Sequence, residues 1–353
     1  MNQSSKNNTQ IEASWAPDSA PASASEKLSA GCDATTAQGY NRRSFLRLVG
    51  GATVASVAIP AVWNAPLAYG APSANSAAES VVGQLFMSLT DDQKKQIVFP
   101  FDHELRRRIN ANWHITKPTI GSTFYTKEQQ QLVDQIVRKV SSPDGYERFI
   151  KQMEFDDGGL NAYSMAIFGT PGSGKFEWEL TGRHLTLRAD GNSVDKAAFG
   201  GPIVYGHGEE TAKENLFYYQ TQQVNEVFKS LSAEQAKAAS LPMAPAEAAV
   251  PLQGGEGKFP GIAVSALSAD QKALVEKTLK TLLAPYRQED VEEVFEILKA
   301  TGGLDKLHFA FYQQGDLDND KLWDIWRVEG PSLVWHFRGA PHVHAYINIG
   351  MKS

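Results

Sequence analysis

Apolar residues recur at i, i+3, i+4 and i+7 in KEQQQLVDQIVRKV (127–140) and in DQKALVEKTLKTLL (270–283). That spacing places one apolar stripe on an α-helix. EDVEEVFEILKA (289–300) repeats it and runs into Gly302-Gly303, a helix C-terminal signal. HFAFYQQ (308–314) and LWDIWRV (322–328) instead place aromatic and aliphatic residues at every second position, and EGPSLVWHF resumes the alternation after a Gly-Pro turn. These read as strands. Four places carry Ser or Thr followed three residues later by Gln: Thr90/Gln93, Thr126/Gln129, Ser232/Gln235 and Ser268/Gln271. Each predicts a helix start closed by a capping box.

The capping boxes recur at one interval, 142 residues, from Thr90 to Ser232 and from Thr126 to Ser268. The correspondence continues in GGLNAYSMAIF (from Gly158) with GGLDKLHFAFY (from Gly302), and in WELTGRHLTLR (from Trp178) with WRVEGPSLVWH (from Trp326). GGPIVY (from Gly200) likewise aligns with GAPHVH (from Gly339). Five matches in one order predict a tandem duplication, roughly 81–215 and 223–353. Each half reads as helices followed by about four mostly antiparallel strands. The expected fold is therefore α+β, with two halves, 71–222 and 223–353, packed about a pseudo-twofold axis as one composite domain. The Ala/Pro/Gly-rich stretch 239–262 reads as a surface excursion.

Residues 1–41 are Ser/Ala/Asn-rich and lack apolar periodicity, which predicts a disordered leader. NRRSFLR (41–47) then opens an apolar run to Trp63, followed by small residues at Ala68-Tyr69-Gly70. The pattern resembles a twin-arginine export signal within residues 1–70. The run is shorter than a membrane span needs, about 20 residues, and holds Gly50, Gly51 and Pro60. Expected partners are the twin-arginine translocase and signal peptidase, with no stable span in the mature, periplasmic or secreted chain. Cys32, the one cysteine, precedes the signal, so the mature chain carries neither disulfides nor thiol ligands. The net charge of -6 argues against nucleic acid.

GTPGSGK (169–175) mimics a phosphate loop, but Phe176 stands where Ser or Thr should ligate magnesium. The sequel alternates as a strand, so the expectation is a hairpin and no nucleotide. Eight histidines remain. His342-Val343-His344 would point two imidazoles to one strand face, and the aligned positions of the first half, Ile203 and Tyr205, are not histidines. His184 aligns with Ser332, and His114 has no histidine counterpart. Polar residues placed unequally on a repeated scaffold suggest one site. His308 and His336 read as structural, His103 as surface, and His207, beside Glu209 and Glu210, as a possible extra ligand. Arg106, Arg107 and Arg108 read as a solvated or ion-paired cluster.

The segments FPFDHELRRRINANWH, IFGTPGSGKFEWELTGRHLTLR, GGLDKLHFAF, WRVEGPSLVWHF and PHVHAYIN resemble the uncharacterised bacterial family catalogued as domain of unknown function 3500. The resemblance covers the whole mature chain and implies an exported protein. It marks Asn112-Trp113-His114, His184 and His342-x-His344 as recurring polar positions. Two departures stand out: Arg183 replaces the first of two histidines after the glycine, and the chain ends AYINIG in place of a Trp-Arg-Asp-like run. The resulting expectation is a divalent metal (zinc, copper or iron) on His114, His184, His342 and His344. Such a site would serve a metal-dependent hydrolase or oxidoreductase, with Glu209 as a base, or a non-catalytic periplasmic binding module.

Overall fold

The structure, a computed structural model, describes residues 70–313 and 322–352. The leader, the twin-arginine motif and Cys32 lie outside the described residues, as do residues 314–321. The described residues fall in one compact unit, Ala65–Ser353. The first half runs α1 (Ala77–Ser88), α2 (Asp91–Ile97), β1 (Val98–Phe99), α3 (Lys127–Val140), α4 (Pro143–Asp157), β2 (Ser164–Gly169), β3 (Phe176–Gly182), β4 (Leu185–Ala189) and β5 (Ile203–His207). The second runs α5 (Tyr218–Lys229), α6 (Ala233–Ala239), β6 (Ser240–Leu241), β7 (Ile262–Ala263), α7 (Ala269–Leu283) and α8 (Gln288–Ala300). It ends with β8 (His308–Tyr312), β9 (Ile325–Gly330), β10 (Leu333–Arg338) and β11 (Val343–Ile349).

All four capping boxes close, at α2, α3, α6 and α7. Their glutamines also pair across helices. The Gln93 amide nitrogen donates to Gln129 Oε1 at 2.8 Å and the Gln129 amide nitrogen donates to Gln93 Oε1 at 3.1 Å, and Gln235 and Gln271 pair in the same way at 3.2 and 2.9 Å. One side chain thus serves a helix N-terminus and a helix–helix joint together.

The strands form one sheet ordered β1-β2-β3-β4-β5-β11-β10-β9-β8-β6, with β7 beside β8. Neighbours are antiparallel except the short outer pairs β1–β2 and β6–β8, which are parallel. Registers recur between the halves. Gly182 faces Leu185 as Gly330 faces Leu333, and Ser164 faces Thr181 as His308 faces Glu329. At the centre β5 meets β11. Here the register corrects the sequence alignment. Tyr205 lies against Leu185 as Ile349 lies against Leu333, so Tyr205 corresponds to Ile349. His342 and His344 therefore correspond to Ala198 and Gly200, not to Ile203 and Tyr205. GGPIVY and GAPHVH share a leading glycine but not a strand register.

The look-alike phosphate loop is the expected hairpin: β2 and β3 pair from Gly169 opposite Phe176, and Phe176 is buried in the core. Period-2 alternation sorts the sheet's faces. Phe176, Trp178, Leu180, Val343, Ala345 and Ile347 point into the main core under the helices. Glu177, Glu179, His344 and Tyr346 therefore point to the other face. That face is covered by irregular segments, among them 239–262, whose Val250 is buried with Val204, Val334 and Tyr346. The stretch is more than a surface excursion, because it seals a polar layer. Within that layer Arg106 pairs with Glu177 at 3.0 Å and Arg327 with Glu329 at 2.9 Å, both buried. Arg107 and Arg108 remain exposed.

Candidate metal centre

Arg183 and His184 are the two residues between β3 and β4, and His184 has φ 58°. A side chain with a Cβ is strained in this left-handed region, where glycine or asparagine is the usual occupant. Such strain is characteristic of functional positions. The turn aims the His184 ring at β11, where His342 precedes the strand and His344 lies opposite Gly206. Glycine at 206 is required by this approach: a Cβ there would stand 2.3 Å from the Val343 carbonyl oxygen and 3.2 Å from the His184 Cβ.

The three rings converge through their Nε2 atoms. His344 Nε2 lies 3.0 Å from His184 Nε2 and 3.0 Å from His342 Nε2. Donors on adjacent positions of one ion, at bond lengths of about 2.0–2.1 Å, stand roughly 3 Å apart. Ligand atoms of all three lie within 4.8 Å of one another, and the group could hold a metal ion.

Behind two of the rings stand carboxylates. Asp156, at the end of α4, lies 3.0 Å from His184 Nδ1 and also accepts from Gln152 Nε2 at 2.7 Å and the Gly208 N–H at 2.8 Å. Glu247, from the 239–262 segment, lies 2.9 Å from His344 Nδ1 and pairs with Arg338 Nε at 2.5 Å. A carboxylate on the far nitrogen fixes the tautomer that leaves Nε2 free as a donor to a metal. Arg338 Nη2 also sits 2.7 Å from His344 Nδ1. Arginine can only donate, so Nδ1 either accepts from Arg338 or donates to Glu247. With Nε2 protonated, His344 donates its one proton to the Nε2 of His184 or of His342. With a cation on Nε2 the proton moves to Nδ1 and Glu247 accepts it.

Electrostatics favours the neutral, ligating form. Burial, reinforced by His344, Arg338, His184 and Arg183, pushes the His342 pKa down to about 4. Burial also lowers His344, although Glu247 opposes the shift. At Asp156 burial disfavours the charge, but bonds from His184, Gln152 and Gly208 outweigh it and keep the carboxyl below its usual range. Glu247 follows the same balance, burial being offset by His344 and Arg338.

Three of the four expected ligands thus meet. His114 is exposed and is not one of the residues that converge. His207 is not a ligand of this group either: its Nδ1 accepts from the Leu216 N–H at 3.3 Å and its ring packs on Phe155. Glu209 holds the Thr211 N–H at 2.6 Å, so its carboxylate is engaged in its own loop. His336 is buried, and His308 packs on Phe259. His103 caps the turn at Glu104–Arg107 through Nδ1 and packs on Phe99 and Phe168. Sequence reasoning missed Asp156, Glu247 and Arg338, none of which lies in a recognisable spacing. A cleft of about 1320 Å³ opens elsewhere, among Ser141, Lys196, Tyr286, Arg287 and Glu293, and is lined by none of the histidines. Volume and chemistry disagree here; convergent donors with paired carboxylates are the more specific sign.

Fold and site together define an α+β protein with a helix-covered, mostly antiparallel sheet and a three-histidine cluster able to hold a metal ion. The chain matches the family described as "Protein of unknown function (DUF3500)" over residues 72–347 and belongs to it. Comparison with curated proteins and with solved structures found no match.

Proposed function

We propose that the protein binds one divalent metal through His184, His342 and His344 and uses it for hydrolytic chemistry. The observation that carries this reading is the pairing of convergent Nε2 atoms with Asp156 and Glu247 on the opposite nitrogens of two rings. Three neutral imidazoles leave the ion its full double charge, which polarises a substrate or acidifies a bound water. Zinc suits this donor set best, being content with histidine and an open fourth position. Copper or iron in the same place would make the protein an oxidoreductase. A non-catalytic metal-binding module is the second reading, favoured by a cleft of about 1320 Å³ that lies away from the histidines.

The protein reaches its place of action by twin-arginine export, a reading supported by Arg42-Arg43 and the apolar run behind them. Among the described residues no helix is long and apolar enough to cross a membrane. The fold arose by duplication, a reading supported by the recurring element order, registers and glutamine pairs. The site belongs to one half-junction only, since Ser332, at the turn equivalent to His184, hydrogen-bonds Thr301 instead.

Metal affinity of variants tests the assignment. His184→Ala and His344→Ala, which lose carboxylate-backed ligands, should abolish stoichiometric binding in a competition titration. His342→Ala, whose ring has no carboxylate behind it, should weaken binding while retaining measurable uptake. Equal affinity in all three variants and wild type would refute the site.

A further inference from the structure

We propose that the three-histidine site takes its substrate by an oxyanionic group, a carboxylate or a phosphate, with Arg183 as the counter-ion. This rests on the metal reading above. In a loaded site Asp156 faces His184 and Glu247 faces His344 and Arg338. Among the described residues, two positive charges then remain without an ion-pair partner: the excess on the ion and the Arg183 guanidinium.

Arg183 is held in place by its backbone, not by its charge. Its carbonyl accepts from Gln152 Nε2 at 3.0 Å and from the Tyr163 hydroxyl, and it bridges to Asn112. The side chain is exposed and forms none of the ion pairs seen among the described residues. Its location follows from Gly208, where a Cβ would lie 2.4 Å from Asp156 Oδ1 and 3.7 Å from Arg183 Nη2. The guanidinium therefore stands beside Gly208, one position past the His207–Val343 pair and so next to His342, whose ring its charge reaches. Asp156 already takes the Gly208 N–H, Gln152 and His184, and forms no ion pair with Arg183 among the described residues. An exposed arginine one residue from a ligand and without an ion-pair partner there is arranged to receive an anion from outside. Its planar fork suits the two oxygens of a carboxylate or phosphate. One oxygen on the ion and another on Arg183 would orient such a substrate.

The test uses the full chain loaded with cobalt(II), whose visible spectrum reports its coordination. Acetate and inorganic phosphate are titrated separately at constant ionic strength, and the arm that saturates identifies the class. Arg183→Gln should weaken that anion roughly ten- to a hundredfold, the range for a charge-assisted hydrogen bond, and Arg183→Lys should recover part of it. Cobalt stoichiometry and thermal unfolding should match wild type in both variants. Equal anion affinity in wild type and Arg183→Gln, or no saturable response to either anion, overturns the proposal alone. Loss of cobalt from Arg183→Gln also overturns it, by making Arg183 structural. Wild-type protein that takes no cobalt overturns the metal reading and this proposal with it.

Discussion

Asp156 and Glu247 set how firmly their histidines are held, and each does so differently. Asp156 is locked by three donors from α4, β4's turn and the Gly208 backbone, whereas Glu247 stands on an irregular segment beside Arg338. On the proposed assignment, Asp156→Asn and Glu247→Gln should each lower metal affinity about 10- to 100-fold with little change in unfolding temperature. Chelator competition checks this; unchanged affinity in both would show that the carboxylates do not support a metal. The histidines were legible in the sequence because H-x-H on a strand and a histidine after a turn glycine are local patterns. The carboxylates were not, since a tertiary contact joins Glu247 to His344 across about a hundred residues. His114 shows the converse: a marked residue whose exposed position keeps it from the group.

At the level of elements, the paired capping glutamines are the device most open to measurement. Gln93 and Gln129 are buried, while Gln235 and Gln271 are partly exposed. Gln129→Ala strips a cap and leaves Gln93 short of a buried partner, so urea unfolding should show a loss of about 1–3 kcal/mol. Gln271→Ala should cost less, roughly 0.5–1 kcal/mol, since water replaces its lost bonds. The reverse ranking would mean that burial does not set the value of this joint. Helices and hairpins were readable because caps, stripes and alternation are short-range signals. The pairing of β5 with β11 was not, and the glycine-based alignment missed its register by several residues. The 239–262 segment looked like surface because its composition is that of a loop, yet it buries Val250 and delivers Glu247.

For the whole molecule, buried charge gives stability a pH profile. Near Arg287, burial and neighbouring carboxylates raise Glu293 to about 8, Asp290 to about 7 and Asp190 to about 6. A raised carboxyl contributes stability that is complete below its unfolded pKa, about 4.3 for glutamate, and is lost as pH rises through the folded value. Unfolding temperature should therefore fall between about pH 4 and 8, and Glu293→Gln should flatten that fall; an unchanged slope would exonerate Glu293. His336 acts at the other end. Burial lowers it to about 4, so its contribution is present above about 6.5 and is lost as pH falls. The mixture of helices and mostly antiparallel strands was readable from the sequence, but not how the sheet is joined: His184, His342 and His344 gather where β4, β5 and β11 meet.

The most direct measurement is elemental analysis of the mature protein after export in folded form. The account predicts one divalent metal per chain in wild type, zinc foremost, and none in the His184→Ala/His344→Ala double variant of matched fold. Metal-free wild type that stays metal-free when titrated with zinc, copper(II) or iron(II) would contradict it.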